Sequence, residues 1–186
     1  MTQLAETPMS VDEFLHWQET QEERHELVDG RPQLMTGGSI AHGDIIGNVF
    51  SSLRESLRGK PCKARMEVAV ATPRGNVRYP DVMVDCGPSA PADHVATGPT
   101  VVIEVVSPGS LTTDYLQKPR DYASVPTIST YVILNQDVMR AAVLRRVGGE
   151  LILESEAMGR EGLVDLPEIG ARLSLADIYE GLDLKE

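Results

Sequence analysis

The sequence predicts a single α/β domain of the α+β kind, a mixed β-sheet with helices packed on it and additional β-hairpins. Three observations carry that prediction. Its elements read in the order helix, hairpin, helix, hairpin, strand, helix, strand, hairpin, which suits neither a doubly wound sheet nor a sandwich. Residues 101–106 (Val-Val-Ile-Glu-Val-Val) and 130–135 (Thr-Tyr-Val-Ile-Leu-Asn) are almost wholly apolar and rich in β-branched side chains, as central strands covered on both faces are. The helical stretch between them makes a strand-helix-strand step, expected to be a right-handed crossover joining parallel strands. With 186 residues, 41% of them hydrophobic and 24% charged, the chain suits one domain over residues 1–186.

Each element has a local cause. Ser10-Val-Asp-Glu13 is a capping box opening a short helix to about Gln18, with Phe14 and Trp17 on its apolar side. From His25, two short strands flank the Asp29-Gly30 turn. Gly37-Gly38-Ser39 breaks the chain, and Ile45, Ile46, Val49, Leu53 and Leu57 then recur at helical spacing, predicting a helix over 40–57 with one buried face. Residues 62–71 and 77–84 read as an antiparallel hairpin around the turn cluster 72–76, with Asp81 near the middle of the second arm. A loop over 87–99 leads to the strand containing Glu104, which the turn at 107–110 ends. A helical stretch runs to about Ser124, and residues 139–146 and 150–154 form a hairpin around Gly148-Gly149. Ser174-Leu-Ala-Asp177 caps a short C-terminal helix ending near Gly181.

Bulk properties narrow the function. A formal net charge of −11 argues against coating nucleic acid by charge alone, because phosphate binding rests on Lys and Arg. It leaves a nuclease open, since carboxylate metal sites add negative charge. Arg54, Arg58, Lys60, Lys63 and Arg65 form a local basic cluster, either facing a polyanion or serving as a solvated helix end and strand. Cys62 and Cys86 lie in strand-like surroundings with no zinc-ligand spacing, and buried free thiols are expected. No stretch approaches the ~18 apolar residues of a membrane span, and residues 1–10 lack a signal-peptide layout, so a cytoplasmic protein with no membrane partner is expected.

Glu104 is the chemical anomaly. An ionised carboxylate in an apolar strand costs several kcal/mol unless it is paired, protonated or bound to a cation. Side chains alternate along a strand, so Asp81 shares a face with Tyr79 and Met83, and Glu104 with Val102 and Val106. If the two strands are neighbours, both carboxylates converge. Two unpartnered carboxylates repel, and a hard divalent ion such as Mg2+ or Mn2+ resolves the conflict. A buried structural carboxylate held by an arginine or backbone donors is the plainer alternative for Glu104.

Pro80-Asp81, then Glu104 in an apolar strand and a lysine nearby, resembles the PD-(D/E)xK nuclease superfamily. More narrowly, Arg78-Tyr-Pro-Asp81-Val, Val102-Ile-Glu104-Val-Val-Ser-Pro108, Asp114, Lys118, Tyr122 and Tyr131-Val-Ile resemble the Uma-two family of restriction-endonuclease-like proteins. The Glu26 to Gly30 hairpin and the His42 helix also fit, so the resemblance spans about residues 10–180. It implies a restriction-endonuclease-like fold and metal-assisted hydrolysis of DNA phosphodiesters. Asp81 and Glu104 would be the ligands of Mg2+ or Mn2+, and Lys118 the third catalytic residue. It also implies a homodimer able to cut both strands. The superfamily's usual lysine position, two residues after the Glu, is Val106 here, and Lys118 on the following helix matches the family's alternative. Pro119 suits a helix's first turn, so a helix starting at 118 or 119 places the lysine at its entrance, whereas one starting at 113 or 114 would kink. Val106, Pro119 and the acidic charge also motivate a rival expectation, a binding or regulatory module that keeps the fold and not the chemistry.

The neighbours of this set carry two readings each. His42 lines the cleft or is an exposed or capped group, and Tyr122 lines the site or packs. Glu67 is read as a cross-strand partner of a basic residue, with a ligand role as the alternative. Asp114 is read as a helix cap. Ser107 lacks a nucleophile elbow and is set aside.

Overall fold

The computed structural model describes residues 7–107, 109 and 112–184. Pro108 and Ser110 of the predicted turn lie outside them, as do the first six residues.

Helix α1 (Val11–Gln18) begins with the expected box: the Ser10 hydroxyl accepts from the Glu13 amide, and Glu13 accepts from the Ser10 amide at 2.8 Å. Strands β1 (His25–Val28) and β2 (Arg31–Leu34) form the predicted hairpin. Its turn has φ +50° at Asp29 and +74° at Gly30, where a Cβ would collide with Pro8 at 2.5 Å. Only glycine fits that approach. Helix α2 (Ile40–Ser56) is capped by Ser39, whose hydroxyl accepts from the His42 amide, and it buries Ile45, Val49 and Leu53 as the periodicity requires.

The predicted hairpin of residues 62–84 is corrected. Each of its arms is broken and shared between two sheets. Strands β3 (Lys63–Arg65) and β6 (Val82–Asp85) pair in the main sheet, whereas β4 (Val70–Ala71) and β5 (Val77–Arg78) pair in a small sheet with β1 and β2. Glu67, at φ +59°, lies in the break on one arm and Pro80 in the break on the other. Asp81 therefore precedes β6 rather than lying inside a strand.

The main sheet has the order β10-β9-β8-β7-β6-β3, with β7 (Pro99–Val106), β8 (Thr130–Asn135), β9 (Arg140–Val147) and β10 (Glu150–Met158). β7 and β8 are parallel and every other pair is antiparallel, the mixed sheet expected. Val82, Val84, Val101, Ile103 and Val105 face α2 in one apolar layer. Met83, Val102, Val106 and Tyr131 face the other way, against Tyr122, Val125 and Ile128. A further hairpin, β11 (Leu163–Leu166) with β12 (Ala171–Ser174), precedes α4 (Leu175–Ile178) and went unread in the sequence.

The thiol expectation is overturned. Cys62 and Cys86 form a disulfide, with Cα atoms 4.1 Å apart. Lys63 pairs with Asp85 across β3 and β6, so the next residue outward on each strand is a cysteine and the ladder itself brings them together. Among the described residues, no helix is long and apolar enough to cross a membrane.

Candidate active site

Glu104 lies on β7, between β6 and β8, and is 3% exposed. Its Oε1 accepts from the Tyr122 hydroxyl at 2.6 Å and lies 2.9 Å from the Lys118 ammonium. Burial pushes its carboxyl up to about 8; the Lys118 charge pulls it down, and Asp81 and Asp114 push it further up. Even paired, this carboxylate is short of positive charge.

Asp81 owes its position to the proline before it. Val82 pairs with Ile103, so the continued register sets Pro80 against Val105, and Pro80 has no amide hydrogen to donate. The ladder ends there, and the Asp81 side chain takes over: its Oδ2 accepts the Val105 amide at 2.7 Å. His42, in the first turn of α2, brings Nε2 to 3.5 Å from the same oxygen and also bonds the Val105 backbone. The bond to Asp81 holds the imidazole above its ordinary value, against a desolvation that lowers it.

Lys118 lies at the junction of two kinds of helix. A π-helical turn (Thr113–Gln117) leads directly into α3 (Lys118–Ala123), with Pro119 in the first turn of α3. The Lys118 amide bonds the Thr113 carbonyl, five residues back, and this wide turn accommodates a proline ring that would strike the carbonyl four residues before it in a continuous α-helix. Both predicted geometries are thus partly realised: the helical stretch starts before the lysine, yet the lysine stands at the α-helical entrance. Burial works against the ammonium, but Glu104, Glu26 and Asp114 hold it above the ordinary lysine value.

Asp114 corrects the capping expectation. It is 2% exposed, makes no cap, and sets Oδ1 2.9 Å from Lys118 Nζ. Tyr122 packs and bonds at once: its ring lies 5.2 Å from that of Tyr131 while its hydroxyl serves Glu104. Glu67 does pair with a basic residue, Arg24, at 3.9 Å, but it lies outside the cleft.

Asp81, Glu104, Lys118, His42 and Asp114 line one cleft of about 350 Å3, together with Glu26. Among the described residues, no group of three His, Cys, Asp or Glu side chains could hold a metal ion by itself. The donors fit Mg2+ or Mn2+ nonetheless, because such ions are held by one or two carboxylates, with water and phosphate oxygens completing the shell. A cation would also supply the positive charge that Glu104 lacks.

Sequence reasoning missed a buried network behind the cleft. Arg78, 1% exposed, places Nε and Nη2 at 2.8 and 2.7 Å from Asp121 Oδ2, and donates through Nη1 to Glu26 at 2.7 Å. Asn76 donates to the other Asp121 oxygen at 2.9 Å. The network ties β5, just before Asp81, to α3, just after Lys118, and so holds the two halves of the cleft in register.

A family profile described as Uma2, "Putative restriction endonuclease", matches residues 11–176. The uncharacterized protein slr1290 of Synechocystis sp. is 30% identical over 180 residues, covering 94% of this chain and 93% of the relative. A second Synechocystis protein, sll1609, also uncharacterized, is 24% identical over 163 residues, 84% of this chain and 92% of its own. The crystal structure of a "putative nuclease belonging to DUF820" from Anabaena variabilis superposes with a TM-score of 0.71 over 92% of this chain and 98% of that one, at 19% identity, a likeness of fold. The chain belongs to the Uma2 family.

Proposed function

We propose that the protein is a metal-dependent endonuclease that hydrolyses DNA phosphodiesters in the cleft between β7 and α3. The observation that carries this reading is Glu104. It is a fully buried carboxylate raised to about 8 in spite of its lysine partner, and it opens on a cleft that holds a second carboxylate. Perturbed groups of this kind concentrate at reactive sites. Asp81 and Glu104 would hold Mg2+ or Mn2+, which supplies Lewis acidity toward a phosphoryl oxygen and lowers the pKa of bound water.

The chain's own residues divide the remaining work. Lys118 keeps its proton at neutral pH, because its shift is upward. It therefore acts as a fixed positive charge near the attacking water and the phosphoryl oxygens, and not as a base. Asp114 and Tyr122 orient that pair, one on the lysine and one on the glutamate. His42 and the Val105 amide fix the carboxylate of Asp81. Membership in a family whose description reads "Putative restriction endonuclease" supports DNA as the substrate.

The test is incubation of the protein with plasmid and with single-stranded DNA in Mg2+ and in Mn2+, beside Asp81→Ala and Glu104→Ala. Metal-dependent cleavage lost in both variants is expected. Absence of cleavage together with absence of measurable metal affinity would sink the reading, and would favour a module that retains the fold alone.

A further inference from the structure

We propose that the far end of α2 carries a second docking point for the DNA backbone, remote from the cleft; this rests on the nuclease reading above. Arg54, Arg58, Lys63 and Arg65 line a single hollow of about 570 Å3 between the last turns of α2 and β3. Among the described residues, Arg54, Lys63 and Arg65 have no carboxylate partner, and Arg58 pairs only with Glu55 one turn away. Their partners are neutral. The Arg54 guanidinium lies 5.7 Å from the centre of the Phe50 ring, Arg65 donates to Ser89 Oγ at 2.7 Å, and Lys63 donates to the Lys60 carbonyl at 2.9 Å. Among the described residues, Glu55 is the one carboxylate that lines the hollow with these four cations, an excess of positive charge that runs against a chain with 28 acidic and 17 basic residues. An anion with several charges in a row would relieve their repulsion, and arginine forks match phosphate oxygens.

Helix α2 links this hollow to the cleft. Its N-terminal turn carries His42 to Asp81, and its 17 residues span about 25 Å at 1.5 Å each. Gly43, Gly47 and Ser51 lie on one exposed stripe that continues into Arg54 and Arg58. At Gly43 and Gly47 a Cβ would meet nothing within 4 Å, so packing within the chain does not require glycine there, although glycine weakens a helix relative to alanine. The stripe is a smooth path along which a phosphodiester backbone could run from cleft to hollow. With phosphates about 3.4 Å apart along the axis of each strand, a duplex of roughly seven base pairs spans it.

The experiment measures binding in Ca2+ of labelled 12-bp and 6-bp DNA duplexes by fluorescence anisotropy across a salt series. It compares the full chain with Arg54→Gln/Lys63→Gln/Arg65→Gln and with the charge-preserving Arg54→Lys/Arg65→Lys, each checked by circular dichroism. The neutralised variant should lose at least about tenfold in affinity for the 12-bp duplex, and its salt slope should fall by about 2 to 3, near 0.9 per phosphate contact. The 6-bp duplex should bind both alike, and the charge-preserving variant should keep the parent slope. Unchanged affinity and slope in the neutralised variant, or equal loss on both duplexes, would overturn the proposal. Plasmid cleavage separates the two readings. Patch-dependent binding without cleavage in any metal defeats the nuclease assignment alone, whereas cleavage with an indifferent patch defeats the docking site alone.

Discussion

Two buried ionic groups join the same helix to the strands of this protein, and they are compensated differently. Around Arg78, two guanidinium groups meet two carboxylates: Arg78 faces Asp121 and Glu26, Arg74 Nε lies 3.5 Å from Asp121 Oδ1, and Asn76 and the Tyr79 amide donate to the same two carboxylates. Behind the cleft the charges close on themselves. Around Lys118, one ammonium faces Glu104 and Asp114, with Asp81 close enough to raise Glu104 further. In the cleft the negative charge is in excess. Both groups are buried, so burial alone does not distinguish them; an excess of carboxylates over cations, facing an opening, sets the cleft apart.

The largest expected effect breaks the closed network. Asp121→Ala strands Arg78 without its main partner, and removing one member of a buried pair costs about 3–5 kcal/mol. Urea denaturation should show that loss, and a loss below about 1 kcal/mol would mean that the network is not a structural clamp.

The open cluster should behave oppositely. Glu104 is raised from 4.5 to about 8 in the folded protein, so the stability linked to it is full below the unfolded value and is lost as pH rises toward about 8. Divalent cation should restore it. We expect Mg2+ or Mn2+ to raise the melting temperature more at pH 8 than at pH 6, and Glu104→Gln to abolish the difference, by thermal denaturation with and without metal. Equal metal effects in the variant would place the cation elsewhere.

The smallest effect separates orientation from charge. Tyr122→Phe removes the hydroxyl donor to Glu104 while keeping the ring against Tyr131, and the lost buried hydrogen bond should cost about 1–3 kcal/mol. Titration of stability with pH should then show the Glu104 transition displaced upward. A transition that stays in place would mean that the hydroxyl has no part in setting the environment of the glutamate.

What could be read from residue order depended on how local each cause was. Glu104 was legible because a single charge interrupts an apolar strand, and the α2 face because its period repeats for four turns. Asp114 was misread, since an acidic residue near a helix start has the statistics of a cap, and only packing against Tyr131 and Lys118 reveals its burial. Arg78 was illegible as a network centre: its partners lie 43 and 52 residues away. The broken arms around Asp81 were missed because Pro80 reads equally well as a strand start, until two sheets compete for the same chain.

Residue order alone dictates the caps at Ser10 and Ser174, the amphipathic face of α2, the Asp29-Gly30 turn and the strand that carries a carboxylate, since each follows from forces acting over a few residues. The meeting of distant segments is what makes Asp81 cap a ladder at Val105, sets Lys118 between two carboxylates at a π-to-α junction, and joins the cysteines. Desolvation and ion pairing depend on which distant segments meet, and strand register sets that meeting.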